Sequence, residues 1–379
     1  MTHATDGGKT LTSGMTLFLC GDVMTGRGID QVLPHPGDPR LYEFYLHSAE
    51  KYVEIAEEIN GPIPKPVGFS YIWGDALVQL ERASPDVRII NLETSVTTSN
   101  EHWQGKGIHY RMHPENIPCI TAAKIDCCVV ANNHVMDWGH EGLAETLKVL
   151  QDADIKTVGA GHDTEAAKTP AIMEVIGKGR VVVFAFGTES SGIPYQWAAR
   201  KDKPGVNLLP DLSHKTVNHI GEEILAVKRA GDVVVASIHW GANWGYEIPL
   251  EHIQFARALI DSAGVDIIHG HSSHHALGIE IYKDKPIIYG CGDFLNDYEG
   301  IGGNEEYRSD LALMYFVHME AATGKLVSLE LIPTQIRHFR SNRVSDDDVH
   351  WLSERLNREC NKLRSRVEVT KRKTLAFSW

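Results

Sequence analysis

The sequence predicts an α/β protein built on a layered sheet, and three regularities carry that expectation. Short apolar, β-branched runs without polar alternation recur along the chain, as they do in strands buried on both faces. Helix-like stretches lie between them, and strand–helix alternation is the pattern of α/β layers. Each run ends in a cluster of Gly, Asn, His or Asp, and α/β proteins gather their sites at strand ends.

In order, Thr16–Cys20 leads into Gly21-Asp22, Val87–Ile90 into Asn91-Leu92-Glu93, and Cys127–Val130 into Asn132-Asn133-His134. Val181–Ala185 precedes Phe186-Gly187, Val233–Ser237 precedes His239-Trp240-Gly241, and Val265–Ile268 precedes Gly270-His271. Ile287–Tyr289 precedes Gly290 and Asp293. Helices are expected over Gly142–Asp152, where Leu143, Leu147 and Leu150 share a face, and over Val217–Arg229 and Leu250–Ala263. Residues 31–75, punctuated by Pro34, Pro36, Pro39, Pro62, Pro64 and Pro66, read as an insertion holding a helix over Leu41–Ile59. It is either a lid over a site or a surface excursion. Residues 15–340 read as the main domain. Residues 341–379 read as a tail with a helix over Val349–Arg364, which docks on the domain, mediates oligomerisation or stays solvated.

The formal charge is -13, from 37 Lys and Arg against 50 Asp and Glu, which argues against general binding of nucleic acid or anionic membrane. The six cysteines form no CxxC pair and mostly sit in apolar runs, so reduced buried thiols are expected rather than disulfides. Met1–Gly14 lacks the basic and apolar regions of a signal peptide, and no run of 18 apolar residues occurs. A cytoplasmic protein without a membrane anchor is the expectation.

Five clusters carry chemistry: Gly21-Asp22-Val23-Met24, Asn91-Leu92-Glu93, Asn132-Asn133-His134 continuing to Asp137-Trp138-Gly139, His239-Trp240-Gly241, and Gly270-His271-Ser272-Ser273-His274. Singly, each reads more readily as a turn, a cap or a core histidine; the histidine-rich run from His271 to His275 is the most telling. Together they supply carboxylates (Asp22, Glu93), an amide oxygen (Asn133) and imidazoles (His239, His271, His274). Such mixed O/N donors suit one or two divalent ions of Mn, Zn or Fe. A carboxylate such as Glu93 could bridge two of them.

This order of motifs resembles the CapA poly-γ-glutamate (capsule) synthesis family, as does Gly278–Lys283 leading into Pro286–Tyr289. The likeness covers about residues 15–335. It implies the calcineurin-like metallophosphoesterase fold, a four-layer α/β/β/α sandwich, with residues 15–340 as the catalytic domain. It implies Asp22 on a first metal, Glu93 as the bridge, Asn133, His239 and His271 on a second, and His274 returning to the first. His134 would then be the catalytic acid, oriented by Asp137 unless that residue caps a helix. The sequence departs from the phosphoesterase pattern in having Met24 where a histidine is usual and two residues between His271 and His274. Asp293 stands where relatives carry Asn, as a ligand, a base or a turn residue. Arg27, Arg111, Trp244 and Tyr246 are candidates for holding substrate, with ion pairing as the competing reading for the arginines. The implied activity is hydrolysis of a phosphoester or an amide or γ-glutamyl bond, in a small-molecule, peptide or polyanionic substrate. Metal-assisted peptide epimerisation and a non-enzymatic accessory role in polymer synthesis are the alternatives.

Overall fold

The computed structural model describes residues 14–379, so the stretch read as no signal peptide lies, all but Gly14, outside the described residues. Strand β1, Gly14–Val23, sits in the middle of a ten-stranded sheet. On one side it pairs in parallel with β2 (Val87–Leu92), followed by β3 (Cys127–Val129) and β4 (Lys156–Val158). A second sheet has six strands: β5 (Ala171–Val175), β6 (Gly179–Gly187), β7 (Val233–His239), β8 (Ile267–His271), β9 (Ile279–Tyr282) and β10 (Lys285–Ile288). The chain then returns to the first sheet. Strand β11 (Asp293–Leu295) pairs with β1 in parallel, and the long hairpin β12 (Leu311–Glu320) and β13 (Lys325–Ile336) lies beyond β1.

Residue parity assigns the faces of the second sheet. Val181, Val183, Val233, Val235 and Ile267 point into a core shared with Leu17 and Leu19 of β1. Their neighbours Val182, Phe184, Val234, Ala236 and Ile268 point outward onto helices α4 (His214–Val227) and α5 (Leu250–Ser262). Helices α2 (Asp75–Ala83) and α3 (Gly139–Asp152) bury Ala76, Leu80, Leu143 and Leu150 in the shared core from the other side. Two facing sheets with helices outside them give the layering α/β/β/α. Both faces of the strands are covered, which is why the sequence shows continuous apolar runs.

The insertion differs from its expected helix. Only Glu50–Asn60 is helical (α1); residues 41–49 form a closed loop in which the Leu41 amide donates to His47 and the Ala49 amide to Pro39. The Glu43 side chain turns inward from this loop, buried against Arg27 and Tyr52. The segment is no mere excursion, since Val53, Ala56, Ile63, Val67, Ile72 and Trp73 join the main core.

The stretch 341–379, expected as a helical tail, is instead part of the domain. It holds a short strand β14 (Ser341–Arg343), helix α6 (Asp346–Cys360), and strands β15 (Arg366–Val369) and β16 (Leu375–Ser378), which extend the ten-stranded sheet through β13. Alternation such as Leu375-Ala376-Phe377 buries Leu375 and Phe377 while leaving their neighbour on the open face. All six cysteines are buried and unpaired.

Candidate metal centre

Strand register brings the candidate residues together. On the first sheet Asp22 lies between Asn91 of β2 and Asp293 of β11. The approach is so close that a Cβ on Gly21 would meet the Gly292 carbonyl oxygen at 1.7 Å, which explains the glycine there. On the second sheet His239 and His271 are direct partners at the ends of parallel strands β7 and β8. Ser272 then takes φ 108°, a strained turn after which His274 comes back to the Asp22 side, 2.9 Å from Asp293 through Nδ1.

Two triads result. Ligand atoms of Asp22, His239 and His271 lie within 4.8 Å of one another, and so do those of Asp22, His274 and Asp293. Asp22 belongs to both. Asp293 completes the second triad; Met24, two residues after Asp22, is fully buried. Glu93 lies alongside, 3.9 Å from His239 Nδ1 and 3.9 Å from His134 Nε2. Asn133 Oδ1 is 3.1 Å from His239 Nε2, where it fixes that ring's orientation.

The electrostatics favour a cation. Asp22, Glu93 and Asp293 are all at most 1% exposed. Burial, then the neighbouring Asp293, pushes Asp22 up to about 7. Burial, then Asp22, pushes Glu93 well above the usual carboxylate range. His239 and His271 are driven well below theirs, mainly by burial, so both rings are neutral donors. Burial lowers His274 too, but Asp293 and Asp22 together outweigh it and the net shift is upward. The Asp22 Oδ2 atom is buried with no hydrogen-bond partner. Several buried carboxylates, an orphaned oxygen and neutral imidazoles fit one or two divalent ions of the borderline kind.

His134 faces this centre with its Nε2, while its Nδ1 is 2.6 Å from Asp137 Oδ2. Asp137 therefore orients the imidazole; helix α3, which follows, has no side-chain cap. Burial pushes His134 down to about 4 against the opposing pull of Asp137. A neutral ring that donates Nδ1–H to Asp137 leaves Nε2 bare, a proton acceptor aimed at the centre.

Three residues that sequence reasoning gave no role hold this arrangement. Asn91 Nδ2 donates to both Asp22 (2.8 Å) and Glu93 (2.9 Å), while its own oxygen accepts from Asn132. Asn132 Oδ1 accepts the His134 and Val135 amides, fixing the turn. Lys106 Nζ donates to Asp137 Oδ1 at 2.5 Å and lies 3.0 Å from His134 Nδ1. The asparagines were visible inside motifs, but Lys106 sits in a loop with no pattern around it.

The proposed substrate arginines are committed elsewhere. Arg27 is buried, with Nε and Nη2 on Asp297 (2.8 and 2.5 Å), Nη1 on Glu43 and the Tyr52 hydroxyl, and the Tyr52 ring at 3.6 Å. With its donors taken by two carboxylates and a hydroxyl, it anchors the insertion at the edge of the cavity that Trp244 also lines. Arg111 lies 3.8 Å from the Trp138 ring and donates to the carbonyls of Ser99 and Asp38. The partners of both were too remote in sequence to foresee. Trp244 packs on His274 and lines a cavity of about 500 Å³ with Asn243, Asn296, Tyr298 and, from the insertion, Tyr45 and Ile59. Tyr246 is not on that wall; it packs on His275 with Arg355 over its face. Trp138 and Trp240 are core residues, each donating its indole N–H to a backbone carbonyl. A larger groove of about 790 Å³, between Arg82, His318 and Arg343, is lined by none of the candidate residues.

The fold and this centre define an α/β protein with a buried Asp/Glu/His site where two sheets meet. The model of the bacterial capsule synthesis protein family PGA_cap matches residues 16–298, and the chain belongs to that family. It is 47% identical over 354 residues, 93% of each chain, to a probable polyglutamine synthesis accessory protein of Mycobacterium tuberculosis. It is 29% identical over 330 residues to the PGA biosynthesis protein CapA of Bacillus subtilis, covering 87% of this chain and 73% of that protein. Among solved structures, a phosphatase from Mycoplasma pneumoniae aligns over 87% of this chain and 95% of its own, with TM-score 0.48 and 15% identity. Among the described residues no helix is long and apolar enough to cross a membrane.

Proposed function

We propose that this chain is a metal-dependent hydrolase that acts on a phosphoester or a γ-glutamyl amide bond in the metabolism of a poly-γ-glutamate polymer. The observation that carries the reading is the pair of triads sharing Asp22, each with donor atoms close enough to hold a divalent ion and drawn from strand ends of both sheets. Asp22, His239 and His271 would hold one ion; Asp22, His274 and Asp293 the other, with Glu93 beside both. A divalent ion held there would supply Lewis acidity and offset charge that develops in the transition state. The chain's own residues do the rest. His134 Nε2, beside Glu93, takes the proton that the attacking water gives up and hands it to the leaving group as the scissile bond breaks, steadied by Asp137 and Lys106. Trp244 and Tyr298 give the cavity an apolar wall against which a substrate chain can lie.

The test is turnover on a panel of phosphomonoester, phosphodiester and γ-glutamyl amide substrates, with wild type, chelator-stripped protein, Glu93→Ala and His134→Asn. The reading expects one substrate class to turn over, activity to vanish on stripping and return with Mn²⁺ or Zn²⁺, and His134→Asn to lose about 10²–10⁴-fold. Full activity in stripped protein would refute it. The mycobacterial relative's description as an accessory protein favours a second reading, a non-catalytic partner of a polymer synthase. Silence across the panel, together with co-purification of a synthase subunit, would select that one.

A further inference from the structure

Two buried polar side chains between the sheets, Ser237 and His269, have no part in the scheme above, yet they touch it. Both lie on the inward face of the second sheet, Ser237 two residues before His239 on β7 and His269 two before His271 on β8, and the two are register partners. His269 Nε2 is 2.8 Å from the Cys20 carbonyl of β1, in the opposite sheet. Its Nδ1 is 3.0 Å from Ser237 Oγ, and that same oxygen is 2.8 Å from His271 Nε2.

We propose that Ser237 and His269 are positioning residues: a hydrogen-bond relay, anchored on the Cys20 carbonyl, that holds His271 with its proton on Nε2 and its bare Nδ1 facing the metal centre. The direction of each bond follows from its anchor. A carbonyl oxygen only accepts, so His269 Nε2 carries the proton. A fully buried ring between a carbonyl and a hydroxyl, with no carboxylate against it, is uncharged, so His269 Nδ1 is bare and accepts from the Ser237 hydroxyl. Having given away its only proton, Ser237 Oγ accepts, and its one remaining neighbour is His271 Nε2. His271 Nδ1 then presents a lone pair, 2.8 Å from His239 Nδ1. If Asn133 Oδ1 accepts from His239 Nε2, His239 Nδ1 is bare as well, and two lone pairs face each other until a cation accepts both. The relay runs from two residues before Asp22 in one sheet to His271 in the other, so it also ties the two halves of the site. Its functional consequence rests on the metal-centre reading; its tautomer assignment does not.

Selective ¹⁵N-histidine labelling and long-range ¹H–¹⁵N spectra of chelator-treated protein test the relay, with His271 and His269 assigned from His271→Gln and His269→Phe. The expected spectrum shows both rings neutral with Nε2 protonated. In Ser237→Ala and His269→Phe the His271 signal shifts toward a tautomer mixture, while Ser237→Thr, which keeps the hydroxyl, retains the wild-type pattern. Calorimetric titration with Mn²⁺ alone should show about 10- to 100-fold weaker binding in Ser237→Ala and His269→Phe. A wild-type His271 protonated on Nδ1, or an unchanged tautomer in folded Ser237→Ala and His269→Phe, overturns the proposal. If those variants do not fold, the wild-type spectrum alone still decides it. A correct tautomer in a wild type that binds no Mn²⁺ supports the relay and sinks the metal reading instead.

Discussion

Asp22 shows how burial is turned to use. Its carboxyl keeps a proton in the fold up to about 7, against 3.8 ordinarily, because it is buried beside Asp293. Between those values the folded chain binds a proton that the unfolded chain has released, so this group's contribution to stability falls as pH rises through that window. A divalent ion replaces the proton. Mn²⁺ should therefore raise the melting temperature more at about pH 8 than at about pH 5, as read by differential scanning fluorimetry; equal shifts would contradict it. Arg27 illustrates the opposite case, a charge whose neutralisation is internal. Arg27→Ala strands Asp297 and Glu43 in the interior and should cost about 3–5 kcal/mol in urea unfolding. Arg27→Lys cannot restore the fork on Asp297 and should recover only part of that loss.

Elements were legible where burial on both faces made the pattern plain. The strands carrying Asp22, Glu93, His239 and His271 stand out as apolar runs, and each site residue falls at a run's end. Strand β13 and the terminal strand β15 were harder to see, because their polar residues interrupt the runs, whereas Leu311–Val317 of β12 is a continuous apolar run with no site cluster behind it to draw notice. The candidate ligands stood out for a chemical reason, since few other roles gather His, Asp and Glu at successive strand ends. The supporting residues were not. Lys106, Ser237, His269 and Asp297 act through partners between 28 and 270 positions away, and no local pattern encodes that. The tail gives an element-scale prediction. Leu375 is fully buried where β16 meets β13, so Leu375→Ala should cost about 2–5 kcal/mol by chemical denaturation. A solvated tail would lose almost nothing.

At the scale of the molecule, one core runs from Leu17 of the first sheet through Val235 of the second to Leu356 and Leu375 of the tail. Helix α6 packs on the edge strands β15 and β9, one from each sheet. A site split between two sheets demands that they not slide, and a shared core provides this. Scanning calorimetry should accordingly show a single cooperative transition for the whole chain. The central claim is that Asp22 joins two cation positions. Crystals grown with Mn²⁺ and measured at the manganese absorption edge test it most directly. The account predicts anomalous peaks within bonding distance of Asp22, one toward His239 and His271 and one toward His274 and Asp293, both lost in Asp22→Ala. Manganese bound elsewhere, or peaks that survive Asp22→Ala, would contradict it.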